Sequence, residues 1–136
     1  MLIVRFNPPE DGDHWQIPGG GSEPGESLHD CLIREMREET ELIIEPGVFR
    51  YICHVVDGNI IRPHMYFEAT AIGGSLDDRS GMTSEEAKWF VERAEVLERP
   101  MFPQHGVWDR VWKDRERGYP GPEHLGTFTW TGAKIC

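Results

Sequence analysis

Residues Gly20–Leu42 read GGSEPGESLHDCLIREMREETEL, and Trp15-Gln16-Ile17-Pro18-Gly19 leads into them. The stretch sets a glycine-rich turn ahead of a helix that ends in clustered acid. Ser27 can act as N-cap, with Asp30 three residues on closing a variant capping box, and Leu28, Cys31, Leu32 and Met36 then recur at helical spacing. Glu35 and Glu39, at i+7 and i+11 from Leu28, continue the same stripe, and Glu38 follows Glu35 by three residues. An ordinary helix would turn such glutamates to water, because like charges one turn apart repel and a half-buried anion loses hydration. Something cationic should compensate. Arg34 is placed to pair with Glu38 at i,i+4, yet one guanidinium cannot neutralise three acids, and clustered carboxylate oxygens suit a hard divalent ion such as Mg²⁺ or Mn²⁺. The competing reading is a solvated acidic face.

Spacing favours the first reading. The stretch resembles the Nudix box, Gly-x5-Glu-x7-Arg-Glu-U-x-Glu-Glu-x-Gly-U with U aliphatic, through Gly20, Glu26, Arg34, Glu35, Met36, Glu38, Glu39 and Leu42. On average composition, eight such residues fall in register by chance less than roughly one time in ten thousand. One position departs: Glu41 stands where the box has Gly. A left-handed turn there would cost Glu41 about 1 kcal/mol, or the helix stop would move toward Pro46-Gly47. Ile43 and Ile44 lead into a strand more naturally than into another helical turn, which favours the early stop.

The chain of 136 residues, 38% hydrophobic, is read as one domain over 1–136, with about 119–136 an irregular C-terminal tail. MLIVRFNPPE lacks the long apolar core of a signal peptide and no run approaches a membrane span, so a cytoplasmic protein without a membrane partner is expected. Cys31, Cys53 and Cys136 are odd in number and widely spaced, which suggests neither a disulfide framework nor a zinc site. A net charge of −10 argues against binding long nucleic acid and leaves room for a small phosphorylated substrate if metal ions and a few arginines screen it.

Along the chain, Leu2–Phe6 and His14–Ile17 read as strands. Val48–Val56 and Ile60–Ile72 flank the hairpin turn Asp57-Gly58, with Pro63 tolerable at an edge. The second half of Ser84–Val91 reads as a further strand, Arg93–Glu98 as a short helix, and Val107 to about Arg117 as a helix whose Trp108 and Trp112 face the core. Leu125–Trp130 is a short strand-like piece of the tail. The six histidines show no ligand spacing; Arg5, Arg50 and Arg62 are possible phosphate contacts, and Phe6, Tyr66 or Phe102 possible base-stacking rings.

The resemblance implies an α/β fold, a Nudix-like α/β/α sandwich with a mixed sheet, the box helix on one face and the Val107–Arg117 helix on the other. Chains of this family usually carry one further strand ahead of Leu2, so the first N-terminal strand is expected to be missing, or another segment or a second subunit of a homodimer covers the edge. The implied activity is Mg²⁺- or Mn²⁺-dependent hydrolysis of a diphosphate bond in a nucleoside diphosphate linked to another moiety. By the same resemblance Glu38 and Glu39 ligate metal, Glu35 ligates or serves as general base, and the Gly19 carbonyl completes the shell. Arg34 and Glu26 orient the carboxylates beside Gly20, and Glu86, or Glu85, just ahead of Trp89 joins the metal site. The alternative is a catalytically weak nucleotide-binding or protein-interaction module that retains the fold, suggested by Glu41 and the missing strand.

Overall fold

The computed structural model describes residues 2–6, 14–76, 86–89, 92–103, 105–119 and 121–130. In order these form β1 (Leu2–Phe6), β2 (His14–Gln16), α1 (Leu28–Thr40), β3 (Leu42–Asp57), β4 (Ile60–Gly74), β5 (Glu86–Trp89), α2 (Arg93–Leu97), α3 (His105–Glu116) and β6 (Glu123–Thr129). Residues 7–13, Glu85, and the tail from residue 131 onward lie outside the described residues.

The helix begins as its sequence dictates. Ser27 has an extended backbone and its hydroxyl accepts the Asp30 N–H at 3.1 Å, satisfying one of the free amides of the first turn. Met36 then packs with Leu42 and Ile44 of β3, flanked by Leu32 and Leu76. The early stop holds: Glu41 is left-handed at φ 59°, and its N–H donates to the Arg37 carbonyl at 3.0 Å. β3 starts at the next residue. It therefore begins six residues earlier than the apolar run from Val48 suggests, and register shifts around Pro46 and Phe49 take up the residues that do not fit a regular ladder.

One mixed sheet has the order β4-β3-β6, with β4 antiparallel and β6 parallel to β3. Pro63 lies on its edge strand, opposite His54, where a missing N–H is tolerated. The tail is thus not wholly irregular. Leu125 and Phe128 of β6 pack with Tyr66 around buried Cys53, Val55 and Phe102, and this burial draws the segment onto β3. The expected mixed sheet is present, and a second, antiparallel sheet has the order β2-β1-β5; a bridge, Trp15 to Met101, joins β2 to the segment after α2. Leu2–Phe6 is the central strand of this second sheet.

The largest core joins the layers: Trp15 of β2, Tyr51 of β3, Val96 of α2, Met101, and Val107, Trp108, Val111 and Trp112 of α3. The paired tryptophans are core residues, as the sequence suggests. Tyr51 also donates to buried Asp114 at 2.8 Å, tying β3 to α3 and giving the carboxylate a partner. Helix α1 thus packs on the start of β3 and α3 beyond its middle.

Because Glu41 occupies a left-handed position, Glu41→Gly should stabilise the fold by about 1 kcal/mol through relief of side-chain strain and loss of a like charge near Glu38. Denaturant melts in EDTA read this directly, and a lower midpoint would contradict it.

Candidate active site

Four acids and one arginine are arranged by the turn and by α1. Arg34 is the centre of the cluster. Its Nε and Nη2 hold the two oxygens of Glu26 at 2.7 and 3.0 Å, a bidentate pair, while Nη2 also donates to the Gly21 carbonyl at 2.9 Å. Nη1 reaches Glu35 at 2.8 Å and Glu38 at 3.1 Å. The guanidinium beside Glu26, aided by the Glu23 N–H, pulls that carboxyl down to about 2. The sequence-based pairing of Arg34 with Glu38 and with Glu26 is therefore present, with Glu35 added to it.

Glu39 differs from its neighbours. It is 5% exposed, and its Oε2 accepts the Gly19 N–H at 2.8 Å. Burial, reinforced by the charges of Glu35 and Glu38 and opposed by the Gly19 amide, raises its pKa to about 8. The three acids also sit toward the C-terminal, negative end of the helix dipole, which disfavours anions.

Gly20, ahead of the helix, is set by one of these carboxylates. A β-carbon on Gly20 would overlap the Glu35 carboxylate, so the absence of a side chain there leaves room for that group. The Cys31 thiol lies 3.8 Å from the Gly20 carbonyl and closes the turn against the helix.

Among the described residues, no three acids or histidines or cysteines converge on one point as a finished metal cage. Arg34 draws Glu35 and Glu38 aside, and Glu39 faces the Gly19 amide. The chemistry still fits a hard divalent ion: the oxygen-only set from Glu35 to Glu39 spans little more than one helical turn, and Glu39 is a desolvated carboxyl that a cation would stabilise in its ionised form. Glu86 opens β5 with its backbone in register with Arg5.

Several other residues have structural work. Arg50 pairs with Glu68 at 2.9 Å and lies over the Tyr119 ring, and Arg62 pairs with Asp57 at 2.9 Å. Phe102 is buried against Trp130, and Tyr66 meets Trp108 edge-on, so both rings serve the interior. The structure also unites what sequence separates. His54 Nδ1 and His124 Nε2 lie 2.8 Å apart across β3 and β6, and the Gly126 N–H donates to His124 Nδ1 at 3.1 Å. That second bond assigns the His124 proton to Nε2, which donates to His54. No spacing signal could have found a pair seventy residues apart.

Two outcomes follow. Gly20→Ala should push the Glu35 carboxylate from its place and lower turnover of the best nucleotide substrate about tenfold or more with little loss of melting temperature. Parent-like turnover would show that Glu35 has other room. For Glu39, the folded chain keeps a proton between its ordinary 4.5 and about 8 that the unfolded chain has released, so stability in EDTA should fall as pH rises through that window. Thermal melts from pH 5 to 8 should show the fall in the parent and a flatter profile in Glu39→Gln.

Comparisons with known proteins identify the family. The family model described as NUDIX domain matches residues 1–112. A Bacillus subtilis (strain 168) protein named as the uncharacterized Nudix hydrolase YvcI is 38% identical over 125 residues, covering 86% of this chain and 72% of that protein. An ADP-ribose pyrophosphatase of Methanocaldococcus jannaschii is 34% identical over 94 residues, covering 66% of this chain and 53% of that protein. The crystal structure of a NUDIX hydrolase from Nitrosomonas europaea superposes with a TM-score of 0.70 at 23% identity, covering 94% of this chain and 70% of the other, and supports the fold. A family match over most of the length, on a helix whose arginine, glutamates and glycine turn stand in the box pattern, means that the chain belongs to the Nudix hydrolase family.

Proposed function

We propose that this chain hydrolyses a diphosphate bond in a nucleoside diphosphate linked to another moiety, with Mg²⁺ or Mn²⁺ as cofactor. The observation that carries the reading is the buried Glu39 carboxyl beside Glu35 and Glu38 on one helix, a crowd of acids whose ionised forms a divalent ion would stabilise. A diphosphate resists water because its anionic oxygens repel the nucleophile; a bound divalent ion neutralises that charge and acidifies a water molecule.

Glu38 and Glu39 would hold the ion, with the Gly19 carbonyl beside them and Glu86 contributing from the start of β5. Glu35 would act as a further ligand or as the general base that removes the proton of the attacking water. Arg34, anchored by Glu26 and the Gly21 carbonyl, sets where Glu35 and Glu38 stand and limits their repulsion. Gly20 leaves the space that Glu35 occupies.

The substrate is read as a small nucleotide-type molecule. The name of the Methanocaldococcus relative makes ADP-ribose the first compound to assay, and the net charge of −10 disfavours long nucleic acid. No helix among the described residues is long and apolar enough to cross a membrane. The free, buried thiols of Cys31 and Cys53 suit a reducing, cytoplasmic setting.

Resolving the products from a panel of nucleoside diphosphate derivatives with Mg²⁺ tests the activity. On the best substrate, Glu38→Gln and Glu39→Gln should each lower turnover by at least about 10²-fold, because the amide keeps the shape and removes a charged ligand. Both variants should fold normally by circular dichroism and gain less melting temperature from Mg²⁺ than the parent does. Parent-rate hydrolysis by either would defeat its assignment as a metal ligand.

A further inference from the structure

The last turn of α1 is gripped from two sides by groups outside the acid cluster. Thr40 is 0% exposed; its hydroxyl donates to the Met36 carbonyl at 2.5 Å and accepts the Leu42 N–H at 3.2 Å. One oxygen therefore ties the final helical turn to the first residue of β3. A threonine hydroxyl that bonds back only to its own helix tends to bend it, but here the second bond carries the same oxygen into the strand. With both bonds made, the buried hydroxyl has its partners.

Gly74 braces the turn from the other side. It pairs in register with Leu42 at φ 77°, and a β-carbon on it would run into the Glu41 carbonyl oxygen and lie 3.1 Å from the Leu42 Cα. Between the two grips Glu41 reverses the chain at φ 59°, and helix becomes strand with no intervening loop.

Glu39 immediately precedes Thr40, and successive helical side chains point about 100° apart. Thr40 thus reaches the base of β3 while Glu39 reaches the Gly19 amide. We propose that Thr40 is a positioning residue for Glu39 and Glu38: its hydroxyl, with Gly74 as backstop, fixes the last helical turn from which these carboxylates would reach a divalent ion. The proposal rests on the metal-dependent reading above. Its physical basis is that liganding groups displaced by about 1 Å lose about 10²-fold in function, and a helix end frays unless held.

The test compares Thr40→Val, which keeps the shape and removes the hydroxyl, with Thr40→Ser, which keeps the hydroxyl. Mn²⁺ affinity is read by the electron paramagnetic resonance signal of free Mn²⁺, independently of turnover, and kcat and KM are read on the best nucleotide substrate. Thr40→Val should weaken Mn²⁺ binding and lower kcat about tenfold each, with KM changed less than about twofold, and Thr40→Ser should restore both. Where Thr40→Val is not folded by circular dichroism, Thr40→Ala at low temperature carries the same comparison. A folded variant lacking the hydroxyl that binds Mn²⁺ and turns over as the parent does would overturn the positioning role while leaving the metal-dependent reading intact. If the parent itself binds no Mn²⁺, both fall together.

Discussion

The Arg34 guanidinium is the interaction on which the site depends. It joins three carboxylates and a backbone carbonyl, and two of those carboxylates are on its own helix while the third, Glu26, belongs to the turn before it. Without that cation, Glu35 and Glu38 would repel each other at the negative end of a helix dipole, and the glycine turn would lose its strongest tie to α1. The planar, forked geometry matters as much as the charge. A lysine could neutralise one acid at a time but could not hold Glu26 with two bonds and still reach Glu35 and Glu38.

The acids are of unlike kinds. Glu26 is held ionised by direct pairing, whereas Glu39 is buried, receives one amide hydrogen bond and is pushed toward its protonated form. The turn and the helix behind it thus present carboxylates of different proton affinity.

The site and the core are coupled through β3. Its first residues pack under α1 and its middle packs on α3, while β6 covers its far edge. The abrupt passage from Thr40 through Glu41 to Leu42 places the acidic turn of the helix against the base of the sheet. The acidic helix is therefore fastened at both ends: by Ser27 and the glycine turn in front, and by Thr40 and Gly74 behind.

What the sequence determined by itself is what nearest neighbours decide. The start of α1 at Ser27, the pairing of Arg34 with Glu38, the Asp57-Gly58 hairpin and the Trp108–Trp112 core face all follow from residues within about four positions of one another, where capping, helical periodicity and turn chemistry act. Even the odd residue of the box was legible, since Ile43 and Ile44 marked a strand too close to allow more helix. The tertiary structure alone decided the rest. The parallel docking of β6 on β3, the Tyr51–Asp114 bond, the His54–His124 pair and the closeness of Gly74 to Glu41 join residues far apart in the chain, and no period or spacing encodes which distant strand will cover which edge. Glu39 shows the difference most clearly. Its place on the helix was set by the sequence, but its burial and its contact with the Gly19 amide exist only because the glycine turn folds back over the helix.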